Sequence, residues 1–328
     1  MMTKWTRFAA GLVAGTALAT AVQPAAAGPA LLFDPADGVV LYAEDIDDAW
    51  HPASLTKVMT AYLSFQAIKD GKLQLDTKLK VSELAHSQGP TKIGLPVNAE
   101  MEVGLALQAL IIKSANDVAV MLAEGVDGSQ DAFVEHMNAT AKRLGMTRTT
   151  FANPNGLPSE IQVTTARDLA MLTRAVLRDF PQFVPMWSQE EVQVGKRHIH
   201  QHNQLFKVYA GTDGLKTGFT CDSGYNVIAT ATREGHKLAA IVLGESSGAS
   251  RSLRAANLME HGFQYRAWES ALKPLTLDTL EVDPDSKTAA VSVRNFVPGL
   301  ACGGHAPRSP AAAPAPATAA AGAGKSVN

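Results

Sequence analysis

The sequence predicts an α+β fold, with strands near both ends of the folded region and helices between them. Residues 31–33 and 39–42 are short apolar runs separated by Asp34-Pro35-Ala36-Asp37-Gly38, a stretch of turn-forming residues, and they predict a β-hairpin. Residues 226–232 and 238–243 are two more strand-like runs, joined in hairpin fashion by residues 233–237. Between the two pairs, apolar residues recur at helical spacing.

The first helix is predicted to begin at Ser54, because Pro52 and Ala53 precede it and Gly71 lies just past its end. Residues 73–101 contain short strands and turns and are expected to form a loop region over a cleft. Residues 105–112 and 117–124 predict two buried helices joined by a turn at 113–116. Further helices are predicted at residues 129–144, 165–177 and 250–262, and a glycine-rich strand at residues 211–218.

Composition excludes several classes of function. The chain has 328 residues, of which 46% are hydrophobic, and this is enough to bury one large core or two modest ones. Charged residues make up 18% of the chain without any block of like charge, so nothing indicates nucleic-acid binding. The formal net charge is only −2, which argues against recognition by bulk electrostatics.

The first 27 residues have the features of a secretory signal. Lys4 and Arg7 precede an apolar run over residues 8–22, and Ala25-Ala26-Ala27 supplies an A-x-A cleavage site. We therefore expect export to the periplasm or cell envelope, a catalytic domain at 28–270, a short strand-like segment at 271–305 and a disordered Ala/Pro-rich tail at 306–328. Since no basic amphipathic helix closes the chain, membrane attachment is in doubt.

The cysteines and histidines are few. In an oxidising compartment, Cys221 and Cys302 have only each other as partners, and a disulfide between them is a hypothesis against the alternative of two free thiols. His198, His200 and His202 alternate, so on a strand they share one side and in principle bind a metal. No carboxylate or cysteine within the run completes such a site, which favours a solvated or cleft-lining strand face, and we expect no metal or cofactor.

A serine and a lysine stand three residues apart at the start of the first predicted helix. Residues with this spacing share one helix face, so Ser54 Oγ and Lys57 Nζ can meet. A serine hydroxyl needs a base before it acts as a nucleophile, and lysine serves as that base only when burial or another cation lowers its pKa. The alternative for this pair alone is an N-cap serine followed by a solvated lysine.

Two more short motifs follow along the chain. Ser114-Ala115-Asn116 falls in the turn between two buried helices, which can aim both polar side chains into a cleft. Lys216-Thr217-Gly218 lies on the glycine-rich strand, where a ligand can approach the backbone closely. Taken singly, Ser114-Ala115-Asn116 could merely cap a helix, and Lys216-Thr217-Gly218 could end an exposed edge strand. Together with Ser54 and Lys57, however, they have the order found in penicillin-binding proteins and serine β-lactamases.

The chain resembles the low-molecular-mass penicillin-binding proteins that are D-alanyl-D-alanine carboxypeptidases. The resemblance covers about residues 30–266. It implies a β-lactamase/transpeptidase-like fold, in which the N-terminal hairpin and three strands beginning at Lys216 form one antiparallel sheet beside a helical subdomain. Besides the three motifs, it rests on Ser129-Gln130, Leu144-Gly145-Met146-Thr147, Thr165-Ala166-Arg167-Asp168, Gly224-Tyr225-Asn226 and Val242-Leu243-Gly244.

The resemblance also implies roles for the motif residues. Ser54 is expected to attack the carbonyl between the two terminal D-alanines of a peptidoglycan stem peptide, with Lys57 taking its proton. Lys216 would help to keep Lys57 neutral, since like charges disfavour each other's ionised form. Ser114 would pass a proton to the leaving D-alanine, and Asn116 would contact the peptide amide and Lys57.

The strand that carries Lys216 is implied to bind substrate. The backbone N–H groups of Ser54 and Phe219 would form an oxyanion hole. Thr217, together with Arg251, would bind the terminal carboxylate, and Gly218 belongs to the same substrate-binding strand. A β-lactam that mimics D-Ala-D-Ala should then acylate Ser54 and remain bound.

Two departures from the family pattern bear on the alternatives. The sequence around Glu160 lacks the general-base pattern of β-lactamases, which disfavours an antibiotic hydrolase. Residues 275–297 alternate weakly, as a few strands would, and are too short for the β-rich C-terminal domain that many of the carboxypeptidases carry. A D,D-endopeptidase with the same residues and a non-catalytic wall-binding module remain as further alternatives.

Overall fold

The computed structural model describes residues 28–265, 275–297 and 302. Five strands form its central sheet: β1 (Ala30–Phe33), β2 (Val40–Glu44), β7 (Thr212–Thr220), β8 (Gly224–Arg233) and β9 (His236–Glu245). Every neighbouring pair is antiparallel, and the order is β2-β1-β9-β8-β7. The N-terminal hairpin and the three C-terminal strands therefore join into one sheet, as the resemblance implied.

Two small sheets accompany the central one. They pair β3 (Lys78–Lys80) with β4 (Glu100–Glu102), and β5 (Glu191–Val194) with β6 (Arg197–His200). The helices are α1 (Lys57–Lys69), α2 (Glu83–Ser87), α3 (Val103–Ile112), α4 (Asn116–Asp127), α5 (Gln130–Arg143), α6 (Ala166–Asp179), α7 (Val184–Trp187), α8 (Leu205–Val208) and α9 (Gly248–Tyr265).

Alternate side chains of a strand point to opposite faces of the sheet. In the inner strands both sets are apolar, so both faces of the central sheet are apolar. Leu31 and Ile241 belong to the large core that the sheet shares with the helical subdomain. Leu32 and Val242 belong to a second core beneath α9. A Cβ added at Gly262 of α9 would stand 2.6 Å from Leu32 Cδ2, so this helix packs on the sheet without an intervening side chain there. The sheet is thus covered on both sides.

The predicted helices at 129–144, 165–177 and 250–262 are confirmed, with ends shifted by a few residues. Ser129 and Thr165 cap α5 and α6 by accepting bonds from the backbone N–H groups of Ala132 and Asp168. The first helix differs slightly from expectation, since a 3₁₀ turn at Ala53–Thr56 precedes α1. Helix α2, capped by Ser82, was not predicted within the strands and turns of residues 73–101.

The prediction of a few strands in residues 275–297 is wrong. The structure describes this segment as turns and extended chain, and Thr276 alone makes an isolated bridge, to Val39. The Leu275 carbonyl accepts from Val40 of β2, and beyond this residue the contacts of the segment with the rest of the domain are with side chains and loops. The arginine side chain of Arg167, for example, donates to the carbonyls of Leu280 and Glu281.

Several predictions concern residues outside the described ranges. The secretory signal at residues 1–27 and the disordered tail at 306–328 are among them. The boundaries of the catalytic domain at 28–270 and of the segment at 271–305 stay predictions. The disulfide hypothesis is confirmed, since Cys221 and Cys302 are bonded with their Cα atoms 5.6 Å apart. In the part of the chain that the structure describes, no helix is long and apolar enough to cross a membrane.

Candidate active site

Ser54 and Lys57 stand where the 3₁₀ turn passes into α1. Ser54 is half-buried, whereas only 1% of Lys57 is exposed. Lys57 Nζ lies 3.0 Å from Ser54 Oγ, as the three-residue spacing predicted. The lysine is held in place because α1 is buried along most of its length in the large core.

The hydrogen bonds of Lys57 orient its amine. Nζ donates to Asn116 Oδ1 at 2.7 Å and to the backbone carbonyl of Asn155. A neutral amine has two N–H donors and one lone pair, so these two acceptors use both donors. The lone pair is then left for the hydroxyl of Ser54.

The surroundings of Lys57 favour its neutral form. Burial lowers the pKa of Lys57 well below 10.5, and the positive charge of Lys216 lowers it further. The carboxylate of Asp117 opposes these effects without cancelling them. This carboxylate is occupied by backbone N–H groups of Ile93 and Gly94, at 3.0 and 2.8 Å. Burial and the charge of Lys216 thus both favour the unprotonated form that a base requires.

Ser114 lies in the turn between α3 and α4, with φ of +61°, a conformation rarely adopted by non-glycine residues. The hydroxyl of Thr91 donates to the Ser114 carbonyl at 2.8 Å, and the Asn116 N–H donates to the Thr91 carbonyl at 2.7 Å. Lys216 Nζ donates to Ser114 Oγ at 2.9 Å. These contacts hold the turn that contains Ser114 and Asn116 against Lys216 of β7.

Lys216 is buried in the same cleft, with 3% of its surface exposed. Burial and the charge of Arg251 lower the pKa of Lys216 to about 7. Its ammonium also donates to the carbonyl of Thr217 at 2.9 Å. At neutral pH, Lys216 is therefore close to its own titration point and can both give and take a proton.

Strand β7 is the edge of the central sheet and lies against the 3₁₀ turn that precedes α1. A Cβ added at Gly218 would stand 3.0 Å from Ser54 N and 3.1 Å from the Pro52 carbonyl. Only a glycine allows this approach without displacing the backbone. The next residue, Phe219, is half-buried and packs its ring on Tyr225, with the ring centroids 4.3 Å apart.

Arg251 supplies a buried positive charge beside Tyr225, and this charge also acts on Lys216. Its side chain lies in the first turn of α9, is 5% exposed and faces the ring of Tyr225, 6.0 Å from the ring centroid. Burial lowers the pKa of Arg251 to about 10, so it stays protonated at neutral pH. Among the described residues, its Nε has no hydrogen-bond partner and its guanidinium forms no ion pair. An anionic ligand would complete this site.

Two site residues were missed by the sequence analysis, which assigned no role to residues 153–158. Asn155 is 1% exposed and holds Lys57 through its backbone carbonyl. Gly156 has φ of +81°, and a Cβ there would stand 1.9 Å from the Ala53 carbonyl. The Asn155-Gly156 pair could have indicated a tight turn at this point of the loop, because such pairs favour positive φ.

The alternating histidines do not form one cluster. His198 and His200 are exposed on β6 and face Glu191 at 3.9 and 3.6 Å, whereas His202 lies beyond the end of that strand. Burial and the charges of Lys216, Lys113 and Arg251 lower the pKa of His202. Within the described residues, no group of three or more histidine, cysteine or acidic side chains is arranged to hold a metal.

The family model for D-alanyl-D-alanine carboxypeptidases, peptidase family S11, matches residues 16–247. The chain belongs to this family. D-alanyl-D-alanine carboxypeptidase DacC of Escherichia coli (strain K12) is 33% identical over 83% of this chain and 73% of its own length. DacF of Bacillus subtilis (strain 168), also named a D-alanyl-D-alanine carboxypeptidase, is 34% identical over 71% of this chain.

The matched region spans 61% of DacF, so the alignment leaves more than a third of that relative unmatched. Among solved structures, the cefotaxime-bound form of penicillin-binding protein D2 from Listeria monocytogenes is 33% identical, with a TM-score of 0.66. That match covers 72% of this chain and 97% of the other. The transpeptidase-like fold is therefore confirmed independently of the three motifs.

Proposed function

We propose that this protein is a serine-type D-Ala-D-Ala carboxypeptidase that removes the terminal D-alanine from peptidoglycan stem pentapeptides. The observation that carries the proposal is the amine of Lys57, which is buried, has a lowered pKa and lies 3.0 Å from Ser54 Oγ. Family membership supplies the reaction class. The residue roles below follow from the distances and charges of the site.

Acylation begins when Ser54 Oγ attacks the carbonyl carbon of the penultimate D-alanine. The hydroxyl proton moves to the lone pair of Lys57, which faces it because Asn116 and Asn155 take the two N–H donors. The carbonyl oxygen gains negative charge in the tetrahedral intermediate. The N–H groups of Ser54 and Phe219 bind that oxygen, and one such donor is typically worth about 3–4 kcal/mol of barrier.

The intermediate collapses when the C–N bond to the terminal D-alanine breaks. The leaving nitrogen takes a proton from the hydroxyl of Ser114, which recovers one from Lys216 at 2.9 Å. Lys216 suits this relay because its pKa is about 7. Free D-alanine then departs, and the acyl group remains on Ser54.

The terminal carboxylate of the substrate fits the Arg251 end of the cleft. Arg251 is protonated and without an ion pair among the described residues, so a carboxylate would stabilise it. The hydroxyl of Thr217 lies on the same strand as Gly218 and is expected to donate to that carboxylate. A substrate without a free carboxylate should therefore bind weakly.

Before deacylation, a net proton passes from Lys57, which took one from Ser54, to Lys216, which gave one to Ser114. Neutral Lys57 then takes a proton from the attacking water and returns it to Ser54 Oγ as the ester bond breaks. A β-lactam mimics D-Ala-D-Ala but keeps its leaving group tethered, so the acyl-enzyme that it forms on Ser54 should persist. The relative from Listeria monocytogenes, which was solved in a cefotaxime-bound form, supports β-lactam binding by this fold.

The proposal includes export to the periplasm or cell envelope, where peptidoglycan is located. Its support is the sequence pattern of residues 1–27, together with a disulfide between Cys221 and Cys302, which is stable in an oxidising compartment. Trimming of stem peptides there would contribute to cell-wall biogenesis and cell shape.

Release of free D-alanine from a stem pentapeptide tests this function. Wild-type protein should release it, Ser54→Ala should not, and Ser87→Ala should behave like wild type because Ser87 is exposed on α2. Equal release by wild type and Ser54→Ala would contradict the assigned nucleophile. Cleavage of cross-linked peptides in preference to pentapeptides would instead make the enzyme an endopeptidase, and rapid turnover of penicillin would make it a β-lactamase.

A further inference from the structure

The segment formed by residues 275–297 and Cys302, here called the C-terminal strap, lies along the catalytic domain. At its start, the Val40 N–H donates to the Leu275 carbonyl at 2.9 Å, and the Leu277 N–H donates to the Gly38 carbonyl at 2.8 Å. The side chain of Leu277 is 2% exposed and belongs to the large core. The strap is therefore packed on the domain from its first described residues.

Buried charges hold the middle of the strap. Arg167 pairs with Asp47 at 2.7 Å and donates to the carbonyls of Leu280 and Glu281 at 2.8 and 3.0 Å. Further along, the N–H of Lys287 donates to Asp48 Oδ1 at 2.7 Å. The strap is thus fixed as far as residue 287.

The far end of the strap is attached to the turn between β7 and β8. The Val293 N–H donates to the Asp222 carbonyl at 3.0 Å, and Arg294 pairs with the Asp222 carboxylate at 2.9 Å. Cys302 is bonded to Cys221 of the same turn. This turn immediately follows the strand that carries Lys216-Thr217-Gly218.

Between these two sets of contacts, the strap crosses a cavity of about 590 Å³. Thr288, Ala289 and Ala290 form part of its wall, and no hydrogen bond involves residues 288–291 among the described residues. The position of this wall therefore depends on the contacts at Lys287 and Val293. The opposite wall includes Ala53, Gly156 and Thr220.

The cavity lies on the acyl side of the nucleophile. Along β7, Thr217 marks the carboxylate end of the cleft, Gly218 lies against Ser54, and Thr220 lines the cavity. A strand rises about 3.3 Å per residue, so Thr220 is about 10 Å from Thr217. With the terminal carboxylate bound by Thr217, as proposed above, the preceding residues of an extended peptide lie further along β7, towards this cavity.

The lining suits a peptide. It combines apolar side chains, among them Leu157 and Ile161, with hydrogen-bonding ones such as Ser159 and Thr220. Its volume falls within the range of about 300–1,000 Å³ that is common for ligand pockets. The cavity opens beside an edge strand whose backbone is available to an extended chain.

We propose that the C-terminal strap is the outer wall of a subsite for the stem-peptide residues that precede D-Ala-D-Ala. The strap thereby sets the preference for a stem peptide over a short acyl-D-Ala-D-Ala. This inference rests on the proposed carboxypeptidase function and assigns a specificity role to Thr288, Ala289 and Ala290. The Cys221–Cys302 bond and the Asp222 contacts keep that wall in position.

The test compares two substrates, a stem pentapeptide and N-acetyl-D-Ala-D-Ala, by kcat/KM for D-alanine release. Ala290→Trp places an indole in the cavity and should lower kcat/KM for the pentapeptide by about tenfold or more, since remote binding energy is lost. It should change the value for the short substrate less than about twofold. Val291→Trp is the matched control, because Val291 is 42% exposed and does not line the cavity, and it should leave both values unchanged.

A second variant tests the proposal independently if Ala290→Trp does not fold. The double substitution Cys221→Ser and Cys302→Ser removes one of the two attachments of the wall to the β7–β8 turn and leaves the Asp222 contacts in place. It should lower the pentapeptide value while activity on the short substrate persists. Equal losses on both substrates in the folded variants, or no loss on the pentapeptide, would overturn the subsite. Failure of the wild type to release D-alanine from either substrate would instead refute the proposed function.

Discussion

Replacing Asn116 by aspartate should switch off the base at Ser54, mainly by adding a charge. The exchange also removes the hydrogen bond that Asn116 Nδ2 donates to the Gly89 carbonyl at 2.9 Å. Asn116 Oδ1 accepts a hydrogen bond from Lys57 Nζ at 2.7 Å, in a site where Lys57 is 1% exposed. A carboxylate of nearly the same shape would place a negative charge at this position. It would stabilise the ammonium form of Lys57, which cannot accept the proton of Ser54.

The size of the effect follows from the separation of the charges. Opposite unit charges 4 Å apart attract by about 4 kcal/mol at an effective dielectric constant of about 20, and Lys57 is closer than that to Asn116. Since 1.36 kcal/mol corresponds to one pKa unit, this attraction would raise the pKa of Lys57 by about 3 units. At any pH below the wild-type pKa of Lys57, the neutral fraction, and with it the acylation rate, should then fall by about 1,000-fold, and the fall should be smaller at higher pH.

The assay is the second-order rate constant for acylation by a fluorescent penicillin, measured as a function of pH. In wild type, burial and the charge of Lys216 lower the pKa of Lys57, so its neutral form persists to lower pH than in Asn116→Asp. In Asn116→Asp, the rate should recover as the pH rises and Lys57 loses its proton. Asn116→Ala also loses the bond to the Gly89 carbonyl but adds no charge, and it should show no such recovery. Wild-type rates in Asn116→Asp, or parallel pH profiles for both variants, would refute the reasoning.

Two predictions concern stability, measured by urea unfolding. Gly156→Ala should destabilise the fold by about 2 kcal/mol more than Gly145→Ala, because both glycines have positive φ but only a Cβ at 156 would clash, 1.9 Å from the Ala53 carbonyl. Arg167→Ala should cost about 3–5 kcal/mol, since it leaves Asp47 buried without its partner. Arg174→Ala on the same helix breaks a more exposed pair and should cost less than about 1 kcal/mol. Equal losses within either pair of variants would contradict the respective argument.

The parts of the site that are local in sequence could be predicted from physical chemistry alone. The approach of Lys57 to Ser54 follows from helical spacing, and the need for a buried lysine follows from the chemistry of serine. The contact between Ser114 and Lys216 joins residues 102 positions apart. No periodicity predicts such a contact, and it was anticipated only through the resemblance to a known family.

Other parts had no signature in the residue types. Asn155 holds Lys57 through a backbone carbonyl, an atom that every residue has, so its role could not be inferred from the side chain. The strap was predicted as weak strands because its apolar residues alternate. Its path is decided instead by distant polar groups, chiefly Arg167, Asp48 and Asp222, whose positions depend on the whole fold.

Mass spectrometry of the protein after exposure to a penicillin tests most directly whether a neutral amine and two backbone donors converge on one hydroxyl. We expect a single covalent adduct, on the peptide that contains Ser54, and no adduct on the Ser54→Ala variant. An adduct on any other peptide, or an unmodified wild-type protein at saturating penicillin, would contradict the account.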